Sequence, residues 1–128
     1  METTSRPILI ADDEIHIVTM LKRRLVSLGY EVLVARSGDE ALEMAKASSP
    51  FFAVIDFQMP GLNGVQLATR IKTEVERPPK IVMLTGRSHL IEEHEFEPTG
   101  ITALLEKPFS MQQVLELIPD ARPEEDAA

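Results

Sequence analysis

The 128-residue sequence has no cysteine, no long apolar run and no visible secretion signal. Without cysteine the chain forms no disulfides and offers no thiolate metal ligands, which favours a cytoplasmic protein. Its apolar runs are far shorter than the roughly 20 residues of a membrane span. Met1 is followed by Glu2 and other polar residues, so no leader peptide is visible. With 44% hydrophobic and 27% charged residues, the composition predicts a soluble globular protein.

The chain also lacks an excess of positive charge and a glycine-rich phosphate-binding loop. Its formal net charge of -8 argues against direct nucleic-acid binding, because proteins that bind the phosphate backbone carry a basic surface. We expect neither nucleic acid nor membrane among its partners. Without a glycine-rich loop, nucleotide binding through such a loop is not expected either. An acidic protein can still bind a cation, so clustered carboxylates become the feature of interest.

The chain does contain a regular alternation of apolar runs and amphipathic segments, in a length that suits one domain. Each of five apolar runs is followed by a segment with turn formers or helical spacing. This alternation predicts an α/β domain over residues 6–118, with a parallel sheet and helices on both faces. Residues 119–128 are acidic and contain proline, which predicts a disordered tail. The predicted strands are 7–11, 31–35, 51–56, 80–85 and 103–106, and a weak helix is predicted over 88–97. Ser37 and Ser110 are predicted to cap the helices that follow the second and fifth strands, and residues 59–64, which are dense in turn formers, are predicted to form a loop.

Acidic and polar residues stand at the carboxyl ends of four of these runs. Asp56 ends the third run, whose β-branched and aromatic residues are typical of a strand buried on both faces. Right-handed crossovers bring the carboxyl ends of parallel strands to one edge, where α/β proteins bind ligands. We therefore expect a cluster at that edge. Its members are Asp12 and Asp13 after strand 1, Asp56 in strand 3, Thr85 in strand 4 and Lys107 after strand 5.

Taken alone, each of these residues has an ordinary structural explanation. Asp12 and Asp13 could cap the following helix. Thr85 could bond to backbone, and Lys107 could be a solvated surface lysine. Together they need a compensating positive charge, because two carboxylates about 4 Å apart repel by about 4 kcal/mol at an effective dielectric constant of about 20. Lys107 and a divalent cation would compensate, and all-oxygen ligands favour Mg²⁺ or Mn²⁺ over zinc.

Such a cluster suits the transfer of a phosphoryl group to a carboxylate. A metal ion and Lys107 would neutralise the phosphoryl oxygens, and Thr85 would donate a hydrogen bond. Asp56 would attack the phosphorus, and the product would be an aspartyl phosphate.

Four stretches of the chain carry a resemblance to a known family. They are Ile8-Leu9-Ile10-Ala11-Asp12-Asp13-Glu14, Asp56-Phe57-Gln58-Met59-Pro60-Gly61-Leu62-Asn63-Gly64, Leu84-Thr85-Gly86 and Lys107-Pro108-Phe109. As a set they closely resemble the receiver domain of two-component response regulators, best known as a single domain in the chemotaxis type. The match spans roughly residues 6–118. It implies a flavodoxin-like, doubly wound sheet of five parallel strands in the order 2-1-3-4-5, with five helices.

The resemblance also implies a role for each acidic residue at the predicted edge. Asp56 would accept a phosphoryl group from the phosphohistidine of a sensor histidine kinase or a histidine phosphotransfer protein. A small donor such as acetyl phosphate would serve as well. Asp13 and Asp56 would ligate Mg²⁺ together with the backbone carbonyl of Gln58, and Asp12 would act through water.

At the same edge, the resemblance implies that Lys107 and Thr85 contact the phosphoryl group and that the Lys107-Pro108 peptide is cis. In the family an aromatic ring three residues before the lysine turns inward when the threonine moves. That position is Leu104 here. Leucine can fill the pocket but offers neither ring nor hydroxyl for coupling Thr85 to the output face.

The predicted helix over 88–97 is a second departure, because glutamates and Pro98 stand where the family has alanines that pack on the sheet. This helix lies on the usual partner-binding face of the family. We therefore hypothesise an output that differs from the familiar symmetric dimer. Gln58 and Arg87 occupy positions where the family tunes dephosphorylation.

These features leave three classes of function. The first is a phosphorylation-switched signalling module that catalyses only its own phosphorylation and dephosphorylation, then binds a downstream protein or passes the phosphoryl group on. The second is an aspartyl-phosphate phosphatase of the haloacid dehalogenase type, disfavoured because Gln58 stands where that family has a second aspartate. The third is a pseudo-receiver scaffold with phosphorylation-independent binding, which Leu104 and the unusual predicted helix over 88–97 permit and the complete acidic cluster disfavours.

Overall fold

The computed structural model describes residues 6–86 and 100–119, in which five parallel strands form one sheet in the order β2-β1-β3-β4-β5. The predicted flavodoxin-like, doubly wound sheet is thus confirmed. The strands are β1 (Ile8–Ala11), β2 (Val32–Ala35), β3 (Phe52–Asp56), β4 (Lys80–Thr85) and β5 (Ile101–Glu106). The helices of the described residues are α1 (Ile15–Ser27), α2 (Gly38–Ser48), α3 (Gly64–Glu74) and α4 (Met111–Leu117).

These four helices stand where four of the five predicted helices were expected. The predicted helix over 88–97 lies outside the described residues, as does the predicted tail beyond Pro119. Within residues 6–86 and 100–119, no helix has both the length and the apolar character needed to cross a membrane.

Two apolar layers cover the two faces of the sheet. One contains the buried residues of α2 and α3, and the other contains those of α1 and α4. Every residue of β1 and of β3 is buried, because these strands lie in the middle of the sheet and are covered on both sides. Burial on both faces explains why their sequences read as continuous apolar runs rather than as an alternating pattern.

Side-chain caps fix the starts of three helices. The Ser37 hydroxyl accepts a hydrogen bond from a backbone N–H in the first turn of α2, and Ser110 forms a reciprocal capping box at α4. Both serines are caps that their sequence context predicts. Asn63 forms a third cap, a capping box with Gln66 at the start of α3. This cap lies at the end of a segment that the sequence predicts only as a loop, because Asn serves in turns and in caps alike.

Backbone hydrogen bonds tie the carboxyl ends of neighbouring strands together. The Phe57 N–H, just after β3, donates to the Leu84 carbonyl of β4 at 2.8 Å. The Lys107 N–H, just after β5, donates to the Thr85 carbonyl at 2.8 Å. The residues at this edge are therefore placed by the sheet itself rather than by a free loop.

The first residue of α3 packs directly on the backbone that carries Asp56. The Gly64 N–H donates to the Phe57 carbonyl at 2.8 Å, and Gly64 is buried. A Cβ added at Gly64 would lie 2.7 Å from the Asp56 carbonyl oxygen and 2.6 Å from Met83 Sδ. Only glycine allows this close approach, so α3 helps to hold the end of β3 in place.

Replacing Gly64 with alanine is expected to lower the free energy of unfolding by about 2 to 3 kcal/mol, since the clash is with backbone that cannot move freely. Urea unfolding followed by circular dichroism measures the loss. Gly86→Ala is the matched control, because a Cβ at that position meets nothing within 4 Å. It should change stability by less than about 0.5 kcal/mol. Equal losses for the two variants would contradict the packing argument.

Candidate functional site

Three carboxylates converge at the carboxyl edge of the sheet. Asp12, Asp13 and Asp56 each offer an oxygen, and these oxygens all lie within 4.8 Å of one another. Asp12 and Asp56 are buried, whereas Asp13 is exposed. The structure therefore brings together the acidic residues that follow β1 and end β3, as their positions in the sequence indicate.

The surroundings of Asp12 do not match the helix-cap explanation. The residue that caps α1 is Glu14, and its side chain makes no capping hydrogen bond. Asp12 Oδ1 accepts a hydrogen bond from the Glu14 N–H at 2.9 Å, just before the first helical residue. Asp12 Oδ2 is buried and has no hydrogen-bond partner among the described residues. A buried carboxylate oxygen without a hydrogen bond costs stability, so the site fits a ligand that would bind this oxygen.

Lys107 supplies the positive charge of the cluster. Its Nζ lies 3.2 Å from Asp56 Oδ1 and 3.7 Å from Asp12 Oδ2, and it also contacts Glu14 Oε1. The lysine stands directly after β5, and the Lys107-Pro108 peptide is cis, as the family resemblance implies. One ammonium group thus faces three carboxylates, and Asp13 adds a fourth negative charge nearby.

Burial and mutual repulsion disfavour the charged forms of the two inner carboxyls. Burial, followed by the charge of Asp12, raises the pKa of Asp56 to about 6, although Lys107 acts in the opposite direction. Burial likewise raises the pKa of Asp12. For Lys107, burial lowers the pKa, but the hydrogen bond to Glu14 and the charges of the two buried aspartates outweigh it, so the pKa rises. The ammonium is therefore charged at neutral pH.

The cluster has the properties of a site for a hard divalent cation. All three candidate ligands are carboxylates, two are buried, and one of their oxygens lacks a hydrogen-bond partner within the described part of the chain. Hard cations such as Mg²⁺ prefer oxygen ligands of this kind. An open cleft of about 400 Å³ gives access to them; it is lined by Asp13, Glu14, Asp56, Phe57, Gln58, Gly86 and Lys107.

The remaining predicted residues lie in β4, in the cleft and in β5. Thr85 is the buried last residue of β4, beside the end of β3. Gln58 is exposed and lines the cleft two residues after Asp56. Leu104 is partly buried, pairs with Met83 across the sheet, and packs against the apolar layer that contains α2 and α3.

Two contacts at this edge involve residues that were not predicted as site residues. Glu14 binds the Lys107 ammonium, and the Arg36 guanidinium donates to the Asp13 carbonyl at 3.2 Å. Glu14 is the third acid of the run after β1, so its proximity to the site was visible in the sequence. Its pairing with Lys107 was not, because it depends on how the end of β5 approaches the start of α1.

The chain is similar in sequence to one known family and to several named proteins. The family model described as the response regulator receiver domain matches residues 8–119. A probable transcriptional regulator, ycf27, of Cyanophora paradoxa is 34% identical over 114 residues, which cover 89% of this chain and 47% of that protein. The chain thus spans about half the length of the curated relatives that it matches.

Solved structures are similar over most of their length. The chemotaxis response regulator CheY4 of Vibrio cholerae is 30% identical, with a TM-score of 0.77 over 88% of this chain and 95% of that chain. The response regulator TrrA of Thermotoga maritima, solved in complex with Mg²⁺ and BeF, is 30% identical with a TM-score of 0.75. That similarity covers 87% of this chain and 94% of the TrrA chain.

The raised pKa of Asp56 predicts a pH-dependent effect of Asp56→Asn in metal-free buffer. Relative to an unfolded value near 3.8, the folded value of about 6 favours folding below about pH 4, and this contribution is lost as the pH rises through 6. Near pH 8 the charged carboxyl therefore costs stability, and Asp56→Asn should be more stable than the wild type by about 2 kcal/mol. Near pH 4.5 the difference should shrink to less than about 1 kcal/mol.

Urea unfolding at a series of pH values, with a chelator present, measures this difference. Glu43→Gln is a suitable control, because the Glu43 side chain is 78% exposed on α2 and lies outside the cluster. Its effect should be small at every pH. A stability difference between Asp56→Asn and wild type that stays constant with pH would show that Asp56 titrates normally.

Proposed function

Since the chain belongs to the receiver-domain family of response regulators, we propose that it is a signalling receiver switched by phosphorylation of Asp56. The observation that carries the proposal is the cluster itself. Three carboxylates offer oxygens within 4.8 Å of one another, and the Lys107 ammonium lies 3.2 Å from the proposed acceptor. This arrangement pairs a nucleophile with the groups that would stabilise phosphoryl oxygens.

Mg²⁺, or Mn²⁺ in its place, is the proposed cofactor. Asp12, Asp13 and Asp56 would hold it together with the backbone carbonyl of Gln58, Asp12 acting through water. The buried Asp12 oxygen that lacks a hydrogen-bond partner among the described residues supports this assignment. The structure of TrrA in complex with Mg²⁺ and BeF supports it by similarity. When bound, the ion supplies positive charge that neutralises phosphoryl oxygens.

The chemistry proposed for this chain is an in-line displacement. A carboxylate oxygen of Asp56 forms a bond to phosphorus while the bond from phosphorus to the donor breaks, which yields the aspartyl phosphate. With a pKa of about 6, Asp56 is ionised at neutral pH and can attack. Lys107 stays charged and close to the acceptor, where it would bind a phosphoryl oxygen, and the Thr85 hydroxyl would donate to another.

Phosphorylation would act as a switch by adding charge at the sheet edge. A phosphoryl group adds roughly two negative charges, and nearly complete switching requires about 5.5 kcal/mol of differential interaction. We place the response at Thr85, which ends β4 beside the acceptor strand, and at Leu104, which pairs with Met83 of β4. In this chain the second position would respond through apolar packing, because leucine carries no hydroxyl.

The proposed phosphoryl donor is a sensor histidine kinase or a histidine phosphotransfer protein, and a downstream protein would read the phosphorylated state in the cytoplasm. The proposed receiver domain comprises residues 6–118. Similar chains are named as transcriptional regulators in some organisms and as a chemotaxis protein in another.

Incubation with acetyl phosphate and Mg²⁺ should add the mass of one phosphoryl group to the intact protein. Asp56→Asn should remain unmodified, because it lacks the nucleophile. Lys107→Met should be modified more slowly, by roughly tenfold or more, because it lacks the charge that stabilises the transferring group. Intact-mass spectrometry over time measures the rate, and the comparison with Asp56→Asn identifies the site.

Three further outcomes separate the alternatives. Labelling of Asp56→Asn to the wild-type level would place the phosphoryl group elsewhere. A wild-type protein that neither reacts nor responds to Mg²⁺ would favour a scaffold without a working acceptor. Sustained hydrolysis of p-nitrophenyl phosphate would favour a phosphatase of the haloacid dehalogenase type, despite Gln58 at its second acidic position.

A further inference from the structure

Glu14 makes a contact that the proposed chemistry does not use. The Lys107 ammonium contacts Glu14 Oε1 in addition to lying 3.2 Å from Asp56 and 3.7 Å from Asp12. The three partners differ in depth. The Asp12 side chain is fully buried, whereas that of Glu14 is 56% exposed. The ammonium group therefore lies within ion-pair distance of two buried carboxylates, Asp12 and Asp56, which we call the floor of the cleft, and of the exposed Glu14 carboxylate at its rim.

Glu14 does not belong to the three carboxylates whose oxygens lie within 4.8 Å of one another. Its place is set by the start of α1, for which it is the N-cap residue, and by its N–H, which donates to Asp12 Oδ1 at 2.9 Å. Glu14 is thus held beside the cluster without being one of its members. It can bind Lys107 while the other three carboxylates bind something else.

A divalent cation and Lys107 compete for the same two buried carboxylates. A cation bound by the three-carboxylate cluster would stand close to an ammonium group that is now within 3.7 Å of Asp12 and Asp56. Like charges at such distances repel, and burial weakens the screening by water. Lys107 must then move away from the floor of the cleft. Among the carboxylates of the described residues that it contacts, only Glu14 lies outside the cluster.

We propose that Glu14 is a positioning residue that holds the Lys107 ammonium at the rim of the cleft when a divalent cation occupies the three-carboxylate cluster. The inference rests on the proposed function for the identity of that cation site. Holding the lysine at the rim reduces its repulsion of the cation. It also keeps the ammonium at the cleft, where an incoming phosphoryl group would need it.

The test is a double-mutant cycle on Mg²⁺ binding, with MgCl₂ alone as the probe and isothermal titration calorimetry as the measurement. The four proteins are the wild type, Glu14→Gln, Lys107→Met and the double variant. In the presence of Lys107, Glu14→Gln should raise the Kd for Mg²⁺ by about three- to fivefold. In the Lys107→Met background the same change should raise it by less than about twofold.

The comparison of the two backgrounds separates positioning from simple loss of charge. Removing the negative charge of Glu14 weakens cation binding through space by the same factor whether or not Lys107 is present. A larger effect in the presence of Lys107 therefore shows that Glu14 acts through the lysine. Equal effects in the two backgrounds, or a larger effect in the Lys107→Met background, would overturn the proposal.

Glu43→Gln is the matched control for charge, because it removes the same unit charge from an exposed side chain that lies 3.9 Å from Lys46 and outside the cleft. Its Kd should stay within about twofold of the wild type. The Mg²⁺ titration contains no phosphoryl donor, so its result is independent of acetyl phosphate labelling. Failed labelling with an intact coupling would overturn the proposed function alone. Normal labelling with equal Glu14→Gln effects would overturn the positioning role alone.

Discussion

The repulsion between buried carboxylates at one edge of the sheet is the constraint on which the rest of the site depends. Asp12 and Asp56 are held together because β1 and β3 are paired and every residue of both strands is buried. Two covered faces of the sheet supply the apolar burial that offsets this electrostatic cost. Lys107 compensates only part of the charge, so the edge remains a strongly negative cleft that suits a cation.

The same electrostatics connect stability with chemistry. A carboxylate with a raised pKa destabilises the folded protein once it ionises, yet the ionised form is the nucleophile that phosphoryl transfer requires. Functional sites commonly keep such a cost, because removing it would remove the activity. The backbone around Asp56 is held in place by two contacts. The Phe57 N–H donates a hydrogen bond to β4, and Gly64 at the start of α3 packs closely against the Asp56 carbonyl.

Much of the fold follows from local patterns, and the exceptions have physical causes. The strands stand where apolar runs predict them, and Ser37 and Ser110 cap helices as their positions indicate. The Asn63 capping box is missed in a segment rich in turn formers, because Asn is favoured in turns and in caps for the same hydrogen-bonding reason. Glu14 is missed as a partner of Lys107 since that ion pair joins residues 93 positions apart.

The sequence alone determined which residues reach the ligand-binding edge, because four of the five strands end at, or just before, an acid, a threonine or a lysine and parallel crossovers place all such ends together. The family motifs also predicted the order of the strands and a role for each residue at the edge, and those roles remain predictions. Only the tertiary structure decided the depths, distances and pairings: a fully buried Asp12, an Asp56 within 3.2 Å of Lys107, and a lysine shared with Glu14 at the rim. The depths, distances and pairings depend on how separate elements pack against one another. Electrostatic repulsion and the cost of burial are set by those distances and depths, which the order of residues in the chain does not specify.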